Sequence, residues 1–202
     1  KKDFAGAQAS LEAAVNKEPN SYVARLGLAE VFAATGKEDK ALEQYAVAAK
    51  LAPKEFAPRY NIGVIYSKQG SYAKAIKAFE EALAISPDDA EAITYLGWAR
   101  YKSGSTDEGI AKINEAIQKN PKFLPAYLNL AAIYTAQDKN DEALKAWENV
   151  LKLDPGNVGA SVNLAGLYYE AGQFDKALAS YQAIVKANPQ SAEANFGVAA
   201  SL

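Results

Sequence analysis

The segment RYNIGVIYSKQGSYAKAIKAFEEALAISPDD, residues 59–89, decides the fold. It turns at Gly70 and closes on Pro87, and it reads as helix, tight turn, helix, short turn. Working outward, the same punctuation returns. Prolines stand at 19, 53, 87, 121, 155 and 189, every interval being 34 residues without insertion or deletion. Strict periodicity of this length marks a stacked array of one supersecondary unit. Counting each unit from the third residue after a proline divides the chain into five full copies, 22–55, 56–89, 90–123, 124–157 and 158–191. Residues 1–21 are then a partial unit holding only a second helix, and 192–202 are the first helix of a sixth unit or a capping helix. Because residue 1 falls where a second helix should begin, we expect either a longer array or an end covered by something else.

Individual positions of the frame carry physical roles. The fifteenth is Gly36, Gly70, Gly104 and Gly172, with Asp138 in the fourth copy, which suits the left-handed residue that ends a helix. The twentieth is small throughout (Ala7, Ala41, Ala75, Gly109, Ala143, Ala177), so the two helices of a pair can approach closely. The twenty-fourth is apolar or aromatic: Leu11, Tyr45, Phe79, Ile113, Trp147 and Tyr181. Ser21, Asp89, Asn157 and Ser191 are placed to cap the helices that follow the prolines, and Pro58 and Pro125 fall in first turns, where a missing N–H costs little.

These residues resemble the tetratricopeptide repeat (TPR) family, whose motif has a large residue at four, small residues at eight, twenty and twenty-seven, an aromatic at eleven and proline at thirty-two. The segment 59–89 follows that motif almost throughout, and the resemblance covers essentially all 202 residues. It departs at position four, which is Arg25, Arg59, Ile93, Tyr127, Ser161 and Asn195. The resemblance implies an all-α fold: a right-handed superhelical α-solenoid of stacked antiparallel helix pairs, one TPR array over 1–202, first helices lining a concave surface. A single unit cannot bury its own apolar face, so stability comes from stacking neighbours.

Composition narrows the chemistry. The chain is 50% hydrophobic and 23% charged with a net charge of −2, which fits an ordered soluble protein and argues against nucleic acid or an anionic membrane as partner. No apolar run approaches the roughly 18 residues of a membrane span. No signal peptide is visible and no Met begins the chain, so cytoplasm and bacterial periplasm are not distinguished. Histidine and cysteine are both absent, which removes the usual general base, thiolate metal sites and triads. Ser71-Tyr72-Ala73-Lys74 matches an S-x-x-K pattern, but its companion motifs are missing and it lies at a helix start. Asp88 and Asp89, and the Ser105/Glu108 spacing, read as helix-start chemistry. We expect neither catalysis nor a cofactor.

Function therefore lies in surface recognition. In the family, positions two, five, six, nine, twelve and thirteen of first helices build the concave groove. Here copy two contributes Tyr60, Asn61, Val64 and Lys68, and copy three contributes Thr94, Tyr95, Trp98, Tyr101 and Lys102. Leu128, Asn129 and Ala132 follow, then Val162, Asn163 and Tyr169, and finally Phe196, whereas copy one is plainer, with Val23, Leu26 and Glu30. At 100° per residue from Ile93, Leu96, Gly97 and Arg100 lie at about 300°, 40° and 340°, while Tyr95, Trp98 and Tyr101 lie at about 200°, 140° and 80°. The rings thus avoid their own unit's main core, and either face a partner or wedge between neighbouring first helices. Arg100 replaces the aromatic that is Phe32, Tyr66, Tyr134 and Tyr168 elsewhere, so it must snorkel or pair with an acid from a neighbouring helix. Asn61, Asn129 and Asn163 at position six match an asparagine ladder that grips peptide backbone in sugar-transferase relatives, interrupted by Gly27 and Tyr95. The cations of the co-chaperone carboxylate clamp are missing in every frame, which argues against chaperone C-termini. The expected partner is a protein or peptide, the alternatives being a homo-oligomer formed through array ends or the targeting part of a larger enzyme or envelope complex.

Overall fold

The computed structural model describes residues 3–202, and twelve α-helices account for nearly all of them. They are α1 (Phe4–Lys17), α2 (Tyr22–Ala34), α3 (Glu38–Leu51), α4 (Phe56–Lys68), α5 (Tyr72–Leu83) and α6 (Ala90–Lys102). Then come α7 (Thr106–Lys119), α8 (Leu124–Ala136), α9 (Asn140–Leu153), α10 (Val158–Glu170), α11 (Phe174–Ala187) and α12 (Ala192–Ala200). The fold is all-α, with no strand among the described residues. Nor is any described helix long and apolar enough to cross a membrane.

The helix boundaries follow from local chemistry. Ser21, Asp89, Asn157 and Ser191 each accept, through the side chain, the backbone N–H three residues on, as their spacing predicts. Each satisfies one of the donors that a helix start leaves without an intrahelical partner. Ser71 occupies the N-cap of α5, but its side chain makes no capping bond. At the turn between paired helices the backbone must enter the left-handed region, where Gly36, Gly70, Gly104 and Gly172 have φ of 75°, 72°, 97° and 68°. Asp138 adopts φ 55° at the same place, the single positive-φ residue outside glycine among the described ones.

Two compact units divide the chain within α7, Lys1–Lys112 and Ile113–Leu202. In the first, α2 packs on α3 and α4 on α5, and each pair leans on the next through α3 against α4 and α5 against α6. One apolar cluster joins Val15, Leu28, Phe32, Tyr45 and Ile65, drawn from α1 to α4. A second joins Ala75, Phe79, Leu96 and Ala99 across α5 and α6. In the second unit α8 packs on α9 and α10 on α11, with α9 against α10 and α11 against α12, and Tyr181 and Ile184 anchor a cluster that reaches Ala194. The position-twenty alanines 41, 75, 143 and 177 are fully buried, which is why a larger residue has no room there.

Gly109 marks a closer approach. A Cβ on it would stand 2.6 Å from the carbonyl oxygen of Gly97 and 2.8 Å from the Tyr101 amide nitrogen. Thus α6 and α7 meet backbone to backbone at the point where other copies carry alanine.

Arg100 pairs with acids from two helices, which decides between the two alternatives its place in the frame leaves open. One terminal nitrogen bonds Glu108 of α7 and the other bonds Glu80 of α5 at 2.7 Å, while Nε is buried without a partner. The repeat register explains the arrangement. In copies one, two and five the position-eleven ring lies under the lysine at position nineteen: Lys40 over Phe32, Lys74 over Tyr66 and Lys176 over Tyr168, at 5.7, 5.2 and 5.3 Å. Copy three exchanges both partners, arginine for the ring and Glu108 for the lysine. Glu80 and Glu148 share position twenty-five, and the Tyr168 hydroxyl donates to Glu148 at 3.0 Å just as Arg100 donates to Glu80. A cation–π contact has become an ion pair within one scaffold.

Two outcomes follow. Glu108→Lys sets a cation beside Arg100 and should cost about 1–2 kcal/mol in urea unfolding, and adding Arg100→Tyr should recover at least about half of that. Equal losses in the single and double variants would contradict the exchange. Separately, burial, followed by the charge of Glu30, pushes the Tyr45 hydroxyl up to about 12, and burial is also the leading cause raising Tyr60, Tyr168 and Tyr181. The unfolded chain ionises tyrosine near 10, so the stabilisation is complete below pH 10 and disappears as pH rises toward 12. Thermal melts followed by circular dichroism should therefore show Tm falling steeply above pH 10, and Tyr45→Phe should blunt the fall.

Candidate functional site

Copy three's first helix, α6, divides its rings between two tasks. Tyr95 stacks on Phe79 of α5, centroids 5.9 Å apart with planes at 17°, and meets Tyr60 of α4 edge-on at 6.0 Å. Phe56 stacks on the other side of Tyr60 at 5.3 Å, so a run of four rings crosses α4, α5 and α6. Tyr60, Val64 and Tyr95 pack against the cluster around the fully buried Phe79. Tyr95 is thus a wedge between the first helices of neighbouring copies, one of the two alternatives the helical geometry leaves open. Its position is shared by Gly27 and Gly197, whose added Cβ atoms would touch Leu11 and a ring carbon of Tyr181. Position six faces the twenty-fourth residue of the preceding copy in each case.

Trp98 and Tyr101 lie apart from that run. Both are partly exposed, their centroids 5.4 Å apart, and Lys102 Nζ stands 5.6 Å from the Trp98 ring. A half-covered indole with a cation over it offers both apolar area and a polar rim. Of the lysines predicted to line this face, Lys68 is already held by Glu38 of α3 at 2.6 Å, which also accepts from Gln69. Those hydrogen bonds hold the Glu38 carboxyl below its ordinary range. Burial, then the nearby Glu91 carboxylate, raises the Tyr60 hydroxyl's ionisation far above normal. Glu91, at position two, is a polar feature of this face that the pattern of rings alone does not disclose. Asn61 is half-buried beside these groups.

In the second unit the predicted residues are more scattered. Leu128, Asn129 and Val162 are half-buried, Ala132 and Asn163 are exposed, and Val162 packs on the cluster around Tyr181. Asn163 Nδ2 donates to Gly159 O of its own helix at 2.8 Å. Tyr169 is 39% exposed and meets Phe174 of α11 edge-on at 5.3 Å. Phe174, half exposed on the turn-side of α11, was not anticipated because the second helix carries no groove position. Phe196 stands 76% exposed on α12.

Comparison with known proteins agrees with the repeat. A sequence model of the tetratricopeptide repeat matches residues 1–61 and 134–199, and a second model of the same repeat matches 58–89. No curated protein matches the chain. Among solved structures, PilW, described as a widely conserved type IV pilus biogenesis factor, superposes with a TM-score of 0.81 at 23% identity, covering 96% of this chain and 90% of that one. Pseudomonas aeruginosa pilF gives 0.78 at 18% identity over 98% and 90%. YrrB, described as a TPR protein with an unusual peptide-binding site, gives 0.70 at 20% over 94% and 98%. At these identities the likeness shows the fold alone, an all-α repeat of the solenoid class.

Proposed function

The chain belongs to the tetratricopeptide repeat family, whose members are protein-interaction scaffolds, and from that premise we propose that it binds a peptide segment of a protein partner along its first-helix faces. The observation that carries the reading is the partly exposed Trp98–Tyr101 pair with Lys102 over the indole. Aromatic side chains bury large areas at modest entropic cost and dominate binding hot spots. Tyr60 and Tyr95 belong to the packed ring run that holds neighbouring copies together and are not principal contacts. Lys102 and Glu91 supply charge of both signs at the rim, so the segment recognised is apolar at its centre and polar at its edges. In the second unit Leu128, Asn129, Asn163, Tyr169 and Phe196 offer a further surface of the same apolar and amide character. The mechanism is binding, with no bond made or broken.

Affinity capture on immobilised wild type and Trp98→Ala tests this, with circular dichroism to confirm that both fold. Loss of about 1–3 kcal/mol of affinity, seen as at least a roughly fivefold drop in recovery of a captured partner, is the expected result. Equal recovery by the two proteins would move the site elsewhere.

A further inference from the structure

The second unit contains an apolar recess of about 350 Å³ that the groove reading does not use. Leu151 and Pro155 line it from the end of α9 and the following turn, Val158 and Leu164 from α10, and Ile184 and Ala187 from α11. Its size lies near the lower end of the ~300–1,000 Å³ range of small-ligand pockets. Ser161 stands in its wall, and Ser161 is the position-four residue of copy five, the place where the family motif carries a large side chain.

Other copies show what that side chain does. Arg25 donates from Nε to the carbonyl oxygen of Pro19 at 3.0 Å, and from Nη1 to Gln44 of its own copy's second helix at 2.7 Å. The Tyr127 hydroxyl donates to Pro121 O at 3.1 Å, and Asn195 Nδ2 to Pro189 O at 3.0 Å. Whereas Arg59 bonds Glu55 O and Ile93 has no donor, in these three copies the position-four side chain satisfies the carbonyl of the preceding proline, and Arg25 also reaches its own second helix. Ser161 is too short to do either. Its hydroxyl bonds back to Asn157 O at 3.1 Å, and Ser180 on the opposite wall bonds back to Lys176 O. The slot in copy five keeps its apolar walls and its Pro155 carbonyl but lacks the plug.

We propose that this recess is a binding site for a tyrosine side chain presented by a partner polypeptide, which replaces in trans the residue that Tyr127 supplies in cis. The chemistry is a ring between the aliphatic walls and a phenol donating to Pro155 O. A polypeptide source fits because every plug of the equivalent slots is itself a side chain. Moreover, the lining includes Val158, which is 55% exposed and would contact residues flanking the ring. The site depends on α9, α10 and α11 alone and not on Trp98.

The test is titration of the full chain with N-acetyltyrosine amide and N-acetylphenylalanine amide, followed through the methyl NMR signals of Leu151, Leu164 and Ile184. The tyrosine amide should shift these methyls and bind about fivefold tighter than the phenylalanine amide, the difference being one net hydrogen bond. Ser161→Tyr should fill the slot from within and abolish the shifts, and p-cresol should compete with the tyrosine amide. Absence of shifts in wild type, equal affinity for the two amides, or shifts confined to other methyls would each overturn the proposal, and none requires the variant to fold.

Discussion

The structure depends on the contact between the twenty-fourth residue of one copy and the first helix of the next. Helix pairs in this chain are narrow, and their inner faces alone cannot exclude enough water to hold them together. Phe79 illustrates the remedy. It is fully buried, receives Tyr60 from its own copy's first helix and Tyr95 from the following one, and so belongs to two copies at once. Tyr45 and Tyr181 repeat the role in other copies, buried to 2% and 8% exposure. Burying a side chain of this size contributes about 1.5–3 kcal/mol, and here that stabilisation is shared across a junction instead of within a pair.

From this constraint the division of labour in α6 follows. A residue at position six can be small and let the preceding ring approach, as Gly27 and Gly197 do, or it can be a ring and stack, as Tyr95 does. Three and six residues further on, the helix has turned away from that junction, and Trp98 and Tyr101 retain open area. The same helix also meets α7 without side chains between them at Gly109, and holds Arg100 between Glu80 and Glu108. Each departure of copy three from its sister copies thus has a partner within reach. The ring at position eleven is exchanged together with its lysine, and the alanine at position twenty is exchanged for glycine where two backbones touch.

Much of this is legible in the sequence because the chain is its own alignment. The proline interval located the turns, the glycines and Asp138 located the left-handed residues, and four capping side chains were named correctly from the residue type and place alone. Arg100 at a position that is aromatic in four other copies called for either water or an acidic partner, and the structure supplies Glu80 and Glu108. What could not be read was the task of Tyr95, since a helical projection describes only a residue's own helix. Whether a ring on the far side meets solvent or the adjacent copy depends on the stacking distance, which Phe79 sets. The slot at Ser161 was equally hidden: position four varies so widely here that its role emerges only from the bonds that Arg25, Tyr127 and Asn195 make to their proline carbonyls.

The central claim is that two rings three residues apart serve different ends, Tyr95 the stack and Trp98 the surface. Urea unfolding of Tyr95→Ala and Trp98→Ala, side by side, tests it without knowledge of any partner. The account predicts a loss of about 2–4 kcal/mol for Tyr95→Ala, as for a large side chain removed from a packed junction, and less than about 1 kcal/mol for Trp98→Ala. Losses of equal size would make Trp98 a second structural wedge and contradict the assignment.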